Sequence, residues 1–218
     1  PVNSLNPFSV PFKGKDLPLS KLKGKAVLVV NVKNDDPEAL KQFPSLTYLS
    51  EKYAKDGLRI LAFPTDQGWY EPDVSEMVRL RALQNYGFGQ FPFSIVMDKV
   101  DIVGPTAHPL FQYLITSLKN PNGQASISLN FEKFLLDENG VPLRRYPRKF
   151  SGYSMEKDIV ALLNDRPLPP SSPKLDEAWV DAVKEAKKSE YAFRYKYNIY
   201  MQETASTYWK GIAEEGFR

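Results

Sequence analysis

The 218-residue chain contains no cysteine and a single histidine. Without sulfhydryls there are no disulfides, no thiolate metal sites, no thiol nucleophile and no redox cycle between sulfurs. The histidine, His108, stands in "GPTAHPLF" with nothing resembling a nucleophile elbow, which argues against a Ser-His-Asp triad. Long apolar runs are missing too: "AVLVVNV" (26–32) falls far short of the roughly 18 residues that a membrane-crossing helix needs. Any membrane association is therefore expected to be peripheral. The glycines form no phosphate cradle, since "GFGQF" lacks both the GxGxxG spacing and the lysine-serine pair of a P-loop. No cofactor is expected. A net charge of +3 is too small to imply nucleic acid or anionic lipid by itself.

What is present is an ordinary globular composition, 42% hydrophobic and 25% charged, enough for one good core with an appended segment. The β-branched run 26–32 reads as a buried strand, and "NDDPEAL" after it offers Asn/Asp caps followed by Pro37 at a first helical position. The helix is predicted over Pro37 to Lys55, with Leu40, Phe43, Leu46, Leu49 and Tyr53 as its buried stripe, and Gly57 ends it. "LRILAF" (58–63) and "FSIVM" (93–97) read as further strands, with a helix near Asp73 to Tyr86 between them. Asn139-Gly140 marks a hairpin, and "SMEKDIVALL" (154–163) reads as a closing helix. This alternation predicts an α/β fold, a thioredoxin-like three-layer α/β/α sandwich with a central mixed sheet. The expected organisation is a domain over 1–164, a proline-rich linker "DRPLPPSSP" over 165–173, and a helical, then extended, aromatic-rich tail over 174–218.

Several stretches fix a closer resemblance. "LKGKAVLVVNV", "EKYAKDGLRILAFP", "EPDVSEM", "GPTAHPLFQYL" and "NFEKFLLDENGVPLRRY" fall in the order and spacing of the glutathione peroxidase family, so that the chain resembles that family from about Phe8 to Leu163. Members reduce hydroperoxides with a cysteine or selenocysteine after the first core strand, assisted by Gln, Trp and Asn. By resemblance, Asp36 occupies the nucleophile position, Thr65 a family cysteine position, Tyr70 that of the Gln and Leu129 that of the Trp; Asn130 alone is retained. The helix that carries a resolving cysteine in some members, here around Leu83 and Gln84, has none either.

A carboxylate cannot follow a thiolate through attack on the O–O bond and recovery from a sulfenic acid. The expectation is therefore no enzyme, with Asp36 reduced to a helix cap contributing about 1 kcal/mol. Asp35, Asp36, Asp66 and Glu71 read as solvated caps and loop acids, so that no metal site is expected. Trp69 and Tyr70 are expected to fill the vacated cleft, and the basic stretches "SKLKGK" (20–25) and "RRYPRK" (144–149) read as solvated loops. In the tail, Trp179, Tyr191, Phe193, Tyr195, Tyr197, Tyr200, Tyr208 and Trp209 are candidate partner-binding residues, because so many aromatics need a surface to cover. Pro1 in place of Met suggests trimming, by initiator excision or by removal of a transit peptide. From family analogy alone, the expected role is a structural accessory subunit of a large mitochondrial multiprotein assembly, a respiratory-chain or ATP-synthase complex first. A mitochondrial ribosome subunit contacting rRNA, and a ligand-binding or non-redox enzymatic use of the vacated pocket, are the alternatives.

Overall fold

The computed structural model describes residues 5, 7–22, 24–67, 73–188 and 193. It opens with a hairpin, β1 (Ser9–Phe12) and β2 (Lys15–Pro18), and a 3-10 turn at Leu19–Leu22. There follow β3 (Ala26–Val32), α1 (Ala39–Tyr53), β4 (Leu58–Pro64), α2 (Ser75–Tyr86) and β5 (Ser94–Val96). Next come α3 (Pro109–Ser117), β6 (Lys133–Asp137), β7 (Pro142–Tyr146), α4 (Gly152–Leu163) and α5 (Pro173–Lys188). The main sheet runs β5-β4-β3-β6-β7, with β3, β4 and β5 parallel and β6 and β7 antiparallel to their neighbours. The pairing of β6 with β7 is irregular between Leu135 and Leu136.

Strand β3 shows why the sheet is covered on both sides. Successive side chains point to opposite faces. Ala26, Leu28, Val30 and Val32 face one core with Phe43, Leu46 and Leu49 of α1, Val78 and Ala82 of α2, and Met155 and Ile159 of α4. Val27 and Val29 face a second core with Leu110, Phe111 and Leu114 of α3, Val10 of β1 and Leu19. All seven β3 residues are buried, as expected of a strand with parallel and antiparallel neighbours. The three-layer arrangement predicted from the sequence is present.

Helix α1 starts two residues later than predicted, and Leu40, assigned to its buried stripe, is 71% exposed while Ala39 is buried in its place. Helices α1 and α4 cross closely at Gly152, whose N–H donates to Ser45 Oγ at 2.9 Å. A Cβ there would lie 2.5 Å from the Ser45 carbonyl oxygen, so only glycine fits.

The segment read as a linker is tied to the body: Lys25 pairs with Asp165 at 2.8 Å, and Arg144 donates to the Pro169 carbonyl at 2.5 Å. Ser172 Oγ accepts from Leu175 N at 3.3 Å at the start of α5. That helix joins the first core through Leu175 and Trp179. Two partner-binding assignments are corrected. Trp179 is 3% exposed and Phe193 is 8% exposed, both packed within this chain. Burial against the chain's own core removes the exposed apolar surface that suggested a partner. Tyr191, Tyr195, Tyr197, Tyr200, Tyr208 and Trp209 lie outside the described residues, as do Trp69, Tyr70 and Glu71.

Candidate functional site

The loop between β3 and α1 carries Asp36 into the interior, where it is 2% exposed. Its Oδ1 accepts from Glu38 N at 2.9 Å and its Oδ2 from Asn130 Nδ2 at 3.2 Å. Both oxygens also accept from the terminal nitrogens of Arg148, Nη1 to Oδ2 and Nη2 to Oδ1. A carboxylate offers about four lone-pair sites, and here four donors occupy them. The fork-to-fork geometry with guanidinium is the strong form of a charge-assisted hydrogen bond. Asp36 is thus no simple cap. Glu38 holds the N-cap position with helical dihedrals and no side-chain capping bond. The Asp36 side chain is turned toward Arg148, 112 residues on in sequence.

Arg148 is 3% exposed and serves two acids, since its Nε lies 3.2 Å from Glu185 Oε1 on α5. Lys149 Nζ reaches the other Glu185 oxygen at 3.0 Å. A second buried pair stands beside this one: Glu132 Oε2 accepts from Arg145 Nε at 3.0 Å and from Nη2 at 2.6 Å. Arg145 also donates to the carbonyls of Ala125 at 2.9 Å and Ser126 at 2.8 Å, and its guanidinium lies over the Phe134 ring at 4.8 Å. Arg144 pairs with Asp158 at 2.9 Å. The reading of "RRYPRK" as a solvated loop is therefore corrected. β7 and the turn after it send three arginines into contact with buried or nearly buried acids, because an uncompensated carboxylate would be far costlier there.

Lys133, fully buried at the start of β6, was also missed. Its Nζ donates to the carbonyls of Arg148 at 2.9 Å, Phe150 at 2.8 Å and Pro147 at 3.4 Å, and so fixes the turn that delivers Arg148. Burial pushes its ammonium well below the usual lysine range, against the pull of Glu38 and Glu132.

Among the other positions named from the family, Asn130 is brought onto Asp36 and Leu129 is adjacent, buried, with its carbonyl accepting from Asn31 Nδ2 at 3.2 Å. Thr65, buried after β4, closes its own turn by accepting from Gln67 N at 3.1 Å. Gln67 in turn locks the 102–103 backbone, accepting from Ile102 N at 2.6 Å and Val103 N at 2.9 Å. Asp35 and Asp66 are engaged by Lys33 at 2.8 Å and Lys99 at 2.7 Å. His108 caps α3, its Nδ1 accepting from Leu110 N at 3.2 Å, and burial lowers its pKa from the ordinary histidine value. Among the described residues no group of three or more His, Cys, Asp or Glu is placed to hold a metal, and no helix is long and apolar enough to cross a membrane.

A mixed sheet between helical layers, with the site residue in the loop between the first main-sheet strand and the first helix, defines a thioredoxin-like protein. A T. cruzi GPX1 crystal structure superposes with a TM-score of 0.58 at 30% identity, over 74% of this chain and 97% of that one. The glutathione peroxidase family profile matches residues 6–115, and the chain belongs to that family. A probable phospholipid hydroperoxide glutathione peroxidase of Helianthus annuus is 40% identical over 153 residues, 70% of this chain and 82% of that protein. The chloroplastic phospholipid hydroperoxide glutathione peroxidase 1 of Arabidopsis thaliana is 38% identical over 151 residues, 69% of this chain. The matched part spans only 62% of that relative's length.

These relatives overturn the expected role. They are named as hydroperoxide peroxidases, and a mitochondrial respiratory, ATP-synthase or ribosomal subunit finds no counterpart among them. The structure speaks against the RNA alternative as well, since Arg144, Arg145 and Arg148 are committed to Asp158, Glu132 and Asp36. The peroxidase nucleophile itself is absent, because the chain has no cysteine.

Proposed function

We propose that this family member carries out no thiol-based peroxide reduction and that its former nucleophile position serves the integrity of the fold. The observation that carries this reading is the set of four donors on Asp36. Peroxide reduction needs a soft anion that attacks one oxygen of the O–O bond, releases the other as alcohol or water, and leaves a sulfenic acid for a thiol to reduce. A carboxylate whose lone pairs are all engaged offers neither the attack nor a reducible product. Arg148 beside it is paired with both carboxylate oxygens.

The test is turnover of hydrogen peroxide and of a lipid hydroperoxide by the purified chain, with glutathione and, separately, a thioredoxin as reductant. The expected rate equals the buffer blank in all four assays. Turnover above the blank with any pair overturns the proposal.

A further inference from the structure

We propose that α5 is a fixed lid over the former nucleophile position, and that Glu185 is the contact that latches it. The inference rests on the reading above, in which nothing has to reach position 36. Three separate contacts seat the extension along this side of the molecule. The Trp179 ring lines one small cleft with Leu129 and Glu132 and lies 5.7 Å from the Arg145 guanidinium. By resemblance position 129 belongs to a tryptophan, so the indole from α5 fills space beside a leucine that is smaller than its counterpart. Glu185 lies on Arg148 and Lys149. Beyond the helix, Phe193 N donates to the Ser128 carbonyl at 2.8 Å, carrying the contact along the same 128–132 segment.

The charges explain why the latch and the residue at 36 belong together. Asp36, Arg148, Glu185 and Lys149 form a cluster of two acids and two bases, with the guanidinium shared between the acids. A shared guanidinium couples its two partners: each acid helps to orient the group that the other binds. The carboxylate at 36 therefore orders Arg148, and Arg148 holds an ion pair with Glu185 of α5. Loss of sulfur at 36 and gain of a helix over it act as one device.

Because the chain has no cysteine, a thiol placed at Leu129, which is buried beside Trp179, reports access beneath α5 while the Asp36 carboxylate stays in place. Full-length L129C is treated with iodoacetamide, and the rate is compared with that of L129C/E185K. Labelling is expected to be slow in L129C and to rise about tenfold or more when the latch is reversed, as a local opening becomes more populated. Fast labelling in L129C, or an unchanged slow rate in the double variant, overturns the lid. If L129C does not fold, a W69F/W209F chain isolates Trp179 fluorescence, and E185K in that background is expected to increase its quenching by acrylamide several-fold. Unchanged quenching overturns the proposal by this route. Peroxide turnover by the unmodified chain would sink the reading of the previous section while leaving these two measurements to decide the lid.

Discussion

Two carboxylates in this molecule gather a similar set of donors and differ in what surrounds them. Asp36 lies buried with Arg148, Asn130 and Glu38 N. Glu156, on the outside of α4, accepts from Tyr53 Oη at 2.7 Å, Lys52 Nζ at 2.8 Å and Tyr48 Oη at 2.9 Å. Lys52 and then the tyrosine hydroxyls hold the Glu156 carboxyl below the usual range. Around Glu156, water replaces any donor that is removed, so the cluster adds little to stability. Asp36 and Arg148 are both buried, and the loss of one partner strands a charge in a low-dielectric interior. Similar hydrogen-bond counts therefore stand for very different energies.

The largest effect that sharpens this contrast is expected at Arg145. Arg145→Ala strands Glu132 and removes donors from the Ala125 and Ser126 carbonyls, for a loss of about 3–5 kcal/mol in urea unfolding. Next comes Arg148→Ala, at about 3 kcal/mol, since Asp36 keeps Asn130 and Glu38 N as donors. The double change D36L/R148M replaces the pair by apolar groups and is expected to recover most of that loss; a double variant as unstable as R148A would refute the claim that the cost lies in the stranded charge. Glu156→Gln should shift Tm by no more than about 3 °C. A larger shift would erase the distinction between the clusters.

The smallest effect is one of pH. Burial lowers the pKa of His108 from 6.5 in the folded chain, so the unfolded chain takes up its proton first as pH falls. The stability due to neutral His108 is complete above the unfolded value and is lost as pH drops through the folded one. His108→Asn keeps a capping acceptor and is expected to flatten the stability profile below about pH 6.5. An unchanged slope would show that other groups carry it.

The fold was largely legible because its signals are local. The apolar run of β3 and the Asn139-Gly140 turn each lie within a few residues, and local pattern finds them. The hairpin β1–β2 was missed because two four-residue strands hold too little pattern. At the site, the retained Asn130 and the replaced Asp36 were identified by resemblance, whereas the partner of Asp36 was not. A pairing across 112 residues leaves no periodic trace, and a run such as "RRYPRK" looks solvated until the turn fixed by Lys133 aims it inward.

The sheet's two borders carry a last consequence. β5 contributes only three residues, and β7 begins at Pro142, which has no N–H to offer, and meets β6 with a slipped register. Neither margin presents a long, flat row of free amides and carbonyls on which a foreign strand could be templated. Crowded copies of this protein should thus resist fusing into cross-β fibrils through their main sheets.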